Sequence, residues 1–136
     1  MDKVERIGVS LEPELLAEFD AMLNEKGYQN RSEALRDLIR KELSNKQLED
    51  PDAKAVGVVS LVFDHHTAKL TERLLHLQHS HLLQTISSLH VHLDHRHCLE
   101  IIVLQGLVNE IQSVGERMIS LKGVKQGRVN LISGQD

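Results

Sequence analysis

The chain has 136 residues, of which 40% are hydrophobic but only 2% aromatic, so its core has to be built from Leu, Ile and Val. A single cysteine excludes an internal disulfide. With no secretion signal and no long apolar run, the sequence predicts a cytoplasmic protein that does not cross a membrane. The formal net charge of −4 excludes bulk attraction as a basis for nucleic-acid binding, which would need a local arrangement of groups.

The chain is predicted to open with one strand and two helices. Residues 3–11 alternate between apolar and polar side chains, which is typical of a half-buried strand. A helix is expected from Pro13, which suits a first helical turn, to Gly27, which stops it. A second helix is expected to begin at the N-cap Asn30, with Glu33 completing a capping box.

This opening unit, residues 1–45, is too small to bury a self-sufficient core. A lone strand with one apolar face also needs a partner strand. The simplest solution is an intertwined dimer, in which the strands of two copies pair as an antiparallel ribbon. Residues 46–54 are polar and contain Pro51, and they are predicted to be a linker.

Residues 55–136 are predicted to form a second domain with the element order β-α-β-β-α-β. The expected elements are strand 55–63, helix 66–82, hairpin strands 87–93 and 98–106, helix 107–123 and strand 127–132. This order is that of the ferredoxin-like sandwich, with helices on one face of an antiparallel sheet. The fold class expected for the whole chain is therefore α+β, a β-α-α unit followed by this sandwich.

The predicted hairpin contains an unusual set of metal donors. His90 and His92 fall on one face of the first strand, and a short turn at 94–97 places Cys98 directly opposite His92. Two imidazoles and a thiolate then converge on one point. Ligands of these types suit zinc, copper or nickel, and the spacing alone does not choose among them.

Seven further histidines surround this pattern. Three of them, His76, His79 and His81, follow one another at the end of the preceding helix and are candidates for a fourth ligand from the same chain or a neighbour. The others are interpreted as solvated turn or helix-end residues, namely His65, His66, His95 and His97. Of the nine histidines, only the HxH pair has a spacing that itself predicts a site.

The chain resembles the nickel-responsive transcriptional regulators, which join an N-terminal ribbon-helix-helix DNA-binding unit to a C-terminal ACT-like metal-binding domain. The matching stretches are GYQNRSEALRD, QHSH, LHVH and HCLEI, which begin at residues 27, 78, 89 and 97. The first is widespread among ribbon-helix-helix proteins, whereas QHxH together with HVH-x₅-CLE is highly specific. The resemblance extends from about Val4 to the final strand.

The resemblance implies a four-coordinate planar nickel site. The ligands it implies are His79, His90, His92 and Cys98, with the first donated by a neighbouring subunit. It also implies a homotetramer, two ribbon-helix-helix dimers around a core of metal domains. Gln78 and Glu100 occupy the positions of residues that support the ligands, and such partners orient a ligating imidazole and fix its tautomer.

For DNA, the resemblance implies that the outward residues of the ribbon read bases in the major groove of double-stranded operator DNA. Here these are Arg6, Gly8 and Ser10, and Gly8 departs from the family, which usually has a polar residue, often threonine, at this position. Backbone amides at the start of the second helix are expected to hold a phosphate, and a nearby arginine adds a further contact. These residues are Asn30, Arg31, Ser32 and Arg36.

Glu33 and Asp37 lie one helical turn apart. In the resembling family, acidic residues here contribute to a cation site at the junction between the domains. The alternative is a solvated carboxylate pair, with Glu33 serving the helix cap.

The function expected from the resemblance is nickel-dependent repression of nickel-uptake genes. The alternative is a metal-buffering or small-molecule-sensing ACT-like protein without regulated DNA binding. A metalloenzyme is disfavoured because a four-ligand set leaves no open coordination position, and no Ser-His-Asp or P-loop pattern is present. A metal-free antitoxin-type protein would leave the HVH-x₅-C hairpin unexplained.

Overall fold

A computed structural model describes residues 3–79 and 84–134. The chain divides into two compact units, Met1–Glu42 and Leu43–Asp136. Among the described residues, no helix combines the length and the apolar character needed to cross a membrane. Each unit is described by itself below.

The N-terminal unit contains helix α1 (Pro13–Lys26) and most of helix α2 (Arg31–Gln47). Gly27 ends α1 as predicted, with a left-handed backbone at φ 77°, and the N–H of the next residue donates to the Leu23 carbonyl at 3.0 Å. The Asn30 side chain accepts the Glu33 N–H at 2.9 Å, which confirms the predicted N-cap. The return bond of the capping box goes one residue further back, from the Gln29 N–H to the Glu33 carboxylate at 3.4 Å.

The strand predicted for residues 3–11 is not formed in the single chain. Residues 3–12 have no strand assignment, and all of them are exposed. The physical reason is the one that led to the dimer expectation: a strand is held by hydrogen bonds to a neighbour, and one chain offers none here.

The described residues of the C-terminal unit form four strands and two helices. Their bounds are β1 Lys54–Asp64, α3 Leu70–His79, β2 Gln84–His92, β3 His97–Leu107, α4 Val108–Ile119 and β4 Val124–Ser133. The strands form one sheet in the order β2-β3-β1-β4, and every neighbouring pair is antiparallel. The predicted β-α-β-β-α-β order is therefore confirmed.

Helix α3 begins four residues later than expected. Asp64 holds the chain in a turn, because its carboxylate accepts the His66 N–H at 2.9 Å and its carbonyl accepts the Thr67 N–H at 3.0 Å. The helix then begins after Lys69, whose φ of 64° is left-handed. His81, predicted near the end of this helix, lies outside the described residues.

The core of this unit lies between the sheet and the two helices. Alternate residues of β1 point into it, and Val59, Leu61 and Phe63 are all at most 1% exposed. Ile111 and Met118 of α4 are fully buried against them. Cys98, at the start of β3, belongs to the same buried cluster. The one thiol of the chain is thus held by the core.

Candidate functional site

The β2–β3 hairpin brings the predicted donors together. In its register His92 lies opposite Cys98 and His90 lies opposite Glu100, which confirms the pairing expected from the HxH-x₅-C spacing. Asp94 closes the turn: its Oδ1 accepts the N–H groups of Arg96 and His97 at 2.8 and 2.7 Å. These backbone hydrogen bonds hold the pKa of Asp94 at about 2, so the turn is fixed by a carboxylate that is charged at neutral pH.

Cys98 is fully buried, and its Sγ lies 3.4 Å from Nδ1 of His92 and 3.4 Å from Nδ1 of His65. One donor atom from each of the three residues lies within 4.8 Å of the other two. A sulfur and a nitrogen bound to one first-row metal ion, at about 2.3 and 2.0 Å, are about 3–3.6 Å apart. The two contacts of Cys98 therefore have the separation that a shared ion requires.

The participation of His65 corrects the interpretation of this residue as a solvated turn residue. It is half-buried and directly follows β1, in which Phe63 pairs with Cys98. Its N–H donates to the Arg96 carbonyl at 3.1 Å, and the Arg96 side chain forms an ion pair with Asp64 at 2.9 Å. The end of β1 and the hairpin turn are thereby tied together, and His65 is held beside the thiol.

His90 has a different partner. Its Nδ1 lies 2.7 Å from a carboxylate oxygen of Glu100. If Nδ1 carries the proton and donates it, Nε2 keeps its lone pair and is available to a metal. Among the described residues, His90 does not belong to the three-donor cluster. His79 is exposed at the end of α3 and also lies outside this cluster, whereas Gln78 beside it is buried.

The environment of the site keeps both Cys98 and His65 uncharged. Burial, followed by the negative charges of Glu100 and Asp94, raises the pKa of the Cys98 thiol. Burial, followed by the neighbouring His66 and His92, lowers the pKa of His65. A metal ion that binds here has to displace the thiol proton, because the thiolate is the ligand.

The residues predicted to contact DNA belong to the N-terminal unit. Arg6, Gly8 and Ser10 are exposed in the segment before α1, and no atom lies within 4 Å of the position that a Cβ on Gly8 would occupy. Ser32 and Arg36 are exposed on α2. Asn30 and Arg31, the other two predicted DNA contacts, also stabilise the fold. Asn30 caps α2, and Arg31 donates two hydrogen bonds to the carboxylate of Asp20 in α1, at 2.9 and 3.0 Å.

Two family models match the chain, the ribbon-helix-helix protein, copG family, over residues 5–46 and the NikR C terminal nickel binding domain over residues 56–132. A protein of Nitratidesulfovibrio vulgaris (strain Miyazaki F) named "Putative nickel-responsive regulator" is 47% identical over 137 residues, which is 100% of this chain and 99% of that protein. Proteins with the same name are 46% identical in Geobacter sulfurreducens, over 95% of this chain and 93% of theirs, and 45% identical in Thermococcus onnurineus, over 93% and 92%. The chain belongs to the nickel-responsive regulator family.

The two matched domains have different functions in the regulator. The ribbon-helix-helix domain binds DNA, and the C-terminal domain binds nickel. The protein is a transcriptional regulator and not an enzyme. The clustered imidazole and thiol donors of the hairpin are ligand types that suit nickel, so the residues present fit the metal that the family binds.

The two acidic residues predicted as an interdomain cation site are both engaged within the regulator's N-terminal unit. Asp37 accepts the Tyr28 hydroxyl at 2.8 Å and lies 3.7 Å from Arg40, while Glu33 serves the helix cap. The hydrogen bond to Asp37 raises the pKa of Tyr28. The contact of Glu33 with the helix start is the one that the alternative interpretation expects, and the interdomain cation site stays a prediction.

Proposed function

We propose that the regulator is a nickel-dependent repressor in which nickel, bound between subunits of a homotetramer, promotes binding to operator DNA. The genes it represses are those for nickel uptake, and its site of action is the cytoplasm, where operator DNA is found. Its family membership supports a nickel-responsive DNA-binding protein over a metal buffer. The proposals that nickel promotes operator binding and that it is held between subunits depend on the ligand set and on assembly.

The observation that carries the proposal is the cross-strand pair His92 and Cys98. Their donor atoms lie 3.4 Å apart on paired strands, in a chain that also has a DNA-binding unit. A pair fixed by strand register needs little rearrangement to hold an ion. Two protein donors still leave a metal open to water, so further ligands are required.

The proposed further ligands are His90 and His79. His90 lies on the same face of β2 as His92, with ring centroids 5.1 Å apart, and its bond to Glu100 favours the tautomer with a free Nε2. His79 is exposed at the end of α3, where a neighbouring subunit can reach it. Bound nickel would supply a link between donors on two subunits.

The N-terminal unit supports a dimer. It has an apolar groove of about 580 Å³ between the opening segment and the two helices, lined by Val9, Ser10, Leu11, Leu15, Leu16, Phe19, Arg31, Leu35 and Leu38. Ile7 and Val9 beside it are 78% and 59% exposed. A second copy whose opening strand pairs with this one would cover these side chains and supply the missing strand hydrogen bonds.

The C-terminal unit supports a further interface. Strand β2 is an edge strand of the sheet, and its apolar residues Ile86, Leu89 and Val91 are between 37% and 57% exposed. Exposed edges and apolar faces of this kind are normally covered in soluble proteins. If nickel is held at such an interface, its binding favours the assembled arrangement, and DNA that prefers this arrangement must in turn tighten nickel binding.

The experiment is a nickel titration of the full-length protein, read by absorption of the thiolate-to-nickel band and by fluorescence anisotropy of labelled operator DNA. The wild type is expected to bind one nickel per subunit with a thiolate band and to bind DNA more tightly with nickel. Cys98→Ala is expected to lose both the band and the nickel dependence of DNA binding. His95→Ala, in the exposed turn next to the site, is the matched control and is expected to keep both.

Unchanged nickel affinity in Cys98→Ala would contradict the ligand assignment. Equal DNA affinity with and without nickel in the wild type would contradict the regulatory proposal, and stronger binding without nickel would contradict the direction of the response. Circular dichroism of the metal-free variants shows whether a loss reflects unfolding.

A second candidate for the third ligand is His65, because its Nδ1 lies 3.4 Å from the Cys98 sulfur in the single chain. His90→Ala and His65→Ala separate the two ligand sets in the same titration. We expect the thiolate band to be lost in His90→Ala and kept in His65→Ala. The reverse result would replace His90 by His65 in the site.

A further inference from the structure

A groove of about 540 Å³ lies on the helical layer of the C-terminal unit, between α3 and the residues around the end of α4. Its volume is within the range of small-molecule sites. It is lined by Lys69, Glu72, Arg73, His76, Leu77, Arg117, Ser120 and Leu121. None of these residues belongs to the three-donor cluster or to the proposed nickel ligands, so the groove has no role in the function argued above.

The α3 side of the groove is positively charged. Lys69 directly precedes α3, and Arg73 and His76 lie three residues apart on it, so that all three line the groove. Neither Lys69 nor Arg73 makes an ion pair or a side-chain hydrogen bond with any residue of 3–79 or 84–134. Glu72 is the single carboxylate of the lining. In a chain of net charge −4, this concentration of cations favours an anionic ligand.

The backbone at Lys69 is a second observation. Its φ of 64° makes it the one non-glycine residue with positive φ among the described residues. A left-handed backbone is strained at a residue with a Cβ, and such positions concentrate at functional sites. Here it begins α3, since the Arg73 N–H donates to the Lys69 carbonyl at 3.0 Å. A glycine would adopt this backbone more easily but would bring no charge to the groove.

The lining also has an apolar part, formed by Leu77 of α3 and by Leu121, which follows α4 beside the polar Arg117 and Ser120. Leu77 and Leu121 are partly buried and pack against the core cluster, so the fold holds their side chains in place. Because inorganic anions gain nothing from an apolar surface, it favours a ligand that also has an apolar part. A concave site with an apolar wall also fits a small molecule better than the backbone of a duplex, which contacts outward-facing cations.

We propose that this groove binds a small organic anion, a carboxylate or phosphate ester with an apolar group. Lys69 and Arg73 bind the negative group, and Leu77 and Leu121 contact the apolar part. The regulator would then respond to a metabolite at a site separate from its metal.

The test uses sodium phenyl phosphate as the probe, added to the metal-free full-length protein with leucine methyl groups labelled for NMR. Saturable shifts are expected at the methyl groups of Leu77 and Leu121. Arg73→Gln is expected to weaken binding at least about fivefold, because it removes a charged hydrogen-bond donor to the anion. Lys125→Gln, the same loss of charge on exposed β4, is the matched control and is expected to bind as the wild type does.

Two further titrations use inorganic phosphate, which has only the anionic group, and benzyl alcohol, which has only the apolar ring. Each is expected to bind at least about tenfold more weakly than phenyl phosphate. Shifts confined to other leucines, or equal affinity in Arg73→Gln and wild type, would overturn the proposal. So would weaker binding to random-sequence DNA in Arg73→Gln when phenyl phosphate does not bind at all, since the cations would then serve the DNA backbone.

Discussion

At the scale of single residues, Arg31 shows how a side chain near the proposed DNA contacts is also part of the fold. It is the first residue of α2, and its Nε and Nη2 atoms donate to the two carboxylate oxygens of Asp20 in α1. The pair is solvent-exposed, so its contribution to the free energy of unfolding is small. Its two-pronged geometry nevertheless fixes the angle of the guanidinium relative to the helix start. This leaves the backbone amides of residues 30–32, rather than the Arg31 side chain, as the group expected to meet a phosphate.

The Asp20–Arg31 pair predicts a specific pH response. The hydrogen bond from Arg31 lowers the pKa of the Asp20 carboxyl below its ordinary value of 3.8. Because the unfolded chain takes up this proton first as the pH falls, the stabilisation is complete above pH 3.8 and is lost as the pH drops through the folded value. A carboxyl ¹³C NMR titration should give a midpoint for Asp20 below 3.8, rising towards it in Arg31→Gln. Arg36→Gln should leave the midpoint in place, and an unchanged midpoint in Arg31→Gln would disprove the coupling.

At the scale of elements, α4 approaches the sheet closely because glycines lie at the contacts. A Cβ on Gly57 of β1 would overlap the Cγ2 of Ile111, and a Cβ on Gly115 of α4 would overlap the Cγ2 of Val129. Ile111 is fully buried, so it has little room to move. The tight fit of α4 over β1 supports the uninterrupted β1–β3 pairing on which the position of Cys98 depends.

Gly57→Ala is therefore expected to destabilise the C-terminal unit by about 1–3 kcal/mol, the cost of overpacking a filled core. The measurement is urea denaturation of the metal-free protein, followed by circular dichroism at one protein concentration, since assembly shifts the midpoint. Gly8→Ala is the matched control, because nothing lies within 4 Å of the added methyl group, and it is expected to shift stability by less than about 0.5 kcal/mol. Equal stability of Gly57→Ala and wild type would show that Ile111 moves aside freely.

The elements also show which parts of the structure could be predicted from the sequence alone. Local patterns sufficed for the cap at Asn30, the stop at Gly27 and the pairing of His92 with Cys98, because each depends on residues close together in the chain. The local patterns did not reveal His65 because this residue lies thirty-three positions before Cys98 in the chain. The two come together only through the pairing of β1 with β3. The neighbour relation of these strands in a ferredoxin-like sheet was the pattern that could have revealed it. The opening strand was predicted from alternation, but its pairing requires a second chain.

At the scale of the whole molecule, the proposed ligand set links metal binding to assembly. His90, His92 and Cys98 lie on one hairpin, whereas His79 ends helix α3. Of these four, only His92 and Cys98 belong to the three-donor cluster of the described residues. In the proposed tetramer, one subunit gives the hairpin ligands and its neighbour gives His79. Each site is then complete only when two subunits meet in the correct arrangement.

This sharing predicts that two defective proteins can restore each other. His79→Ala and Cys98→Ala, each assembled alone, are expected to lack the thiolate-to-nickel band. Co-expressed with two different tags and purified through both, the mixed assemblies are expected to recover the band at up to about half of the wild-type sites, because an intact hairpin then meets an intact His79. A mixture of His79→Ala with the double variant His79→Ala/Cys98→Ala is the matched control and should recover none. If the mixed assemblies also lack the band, while His79→Ala alone lacks it too, then His79 acts within its own subunit and nickel does not join two chains.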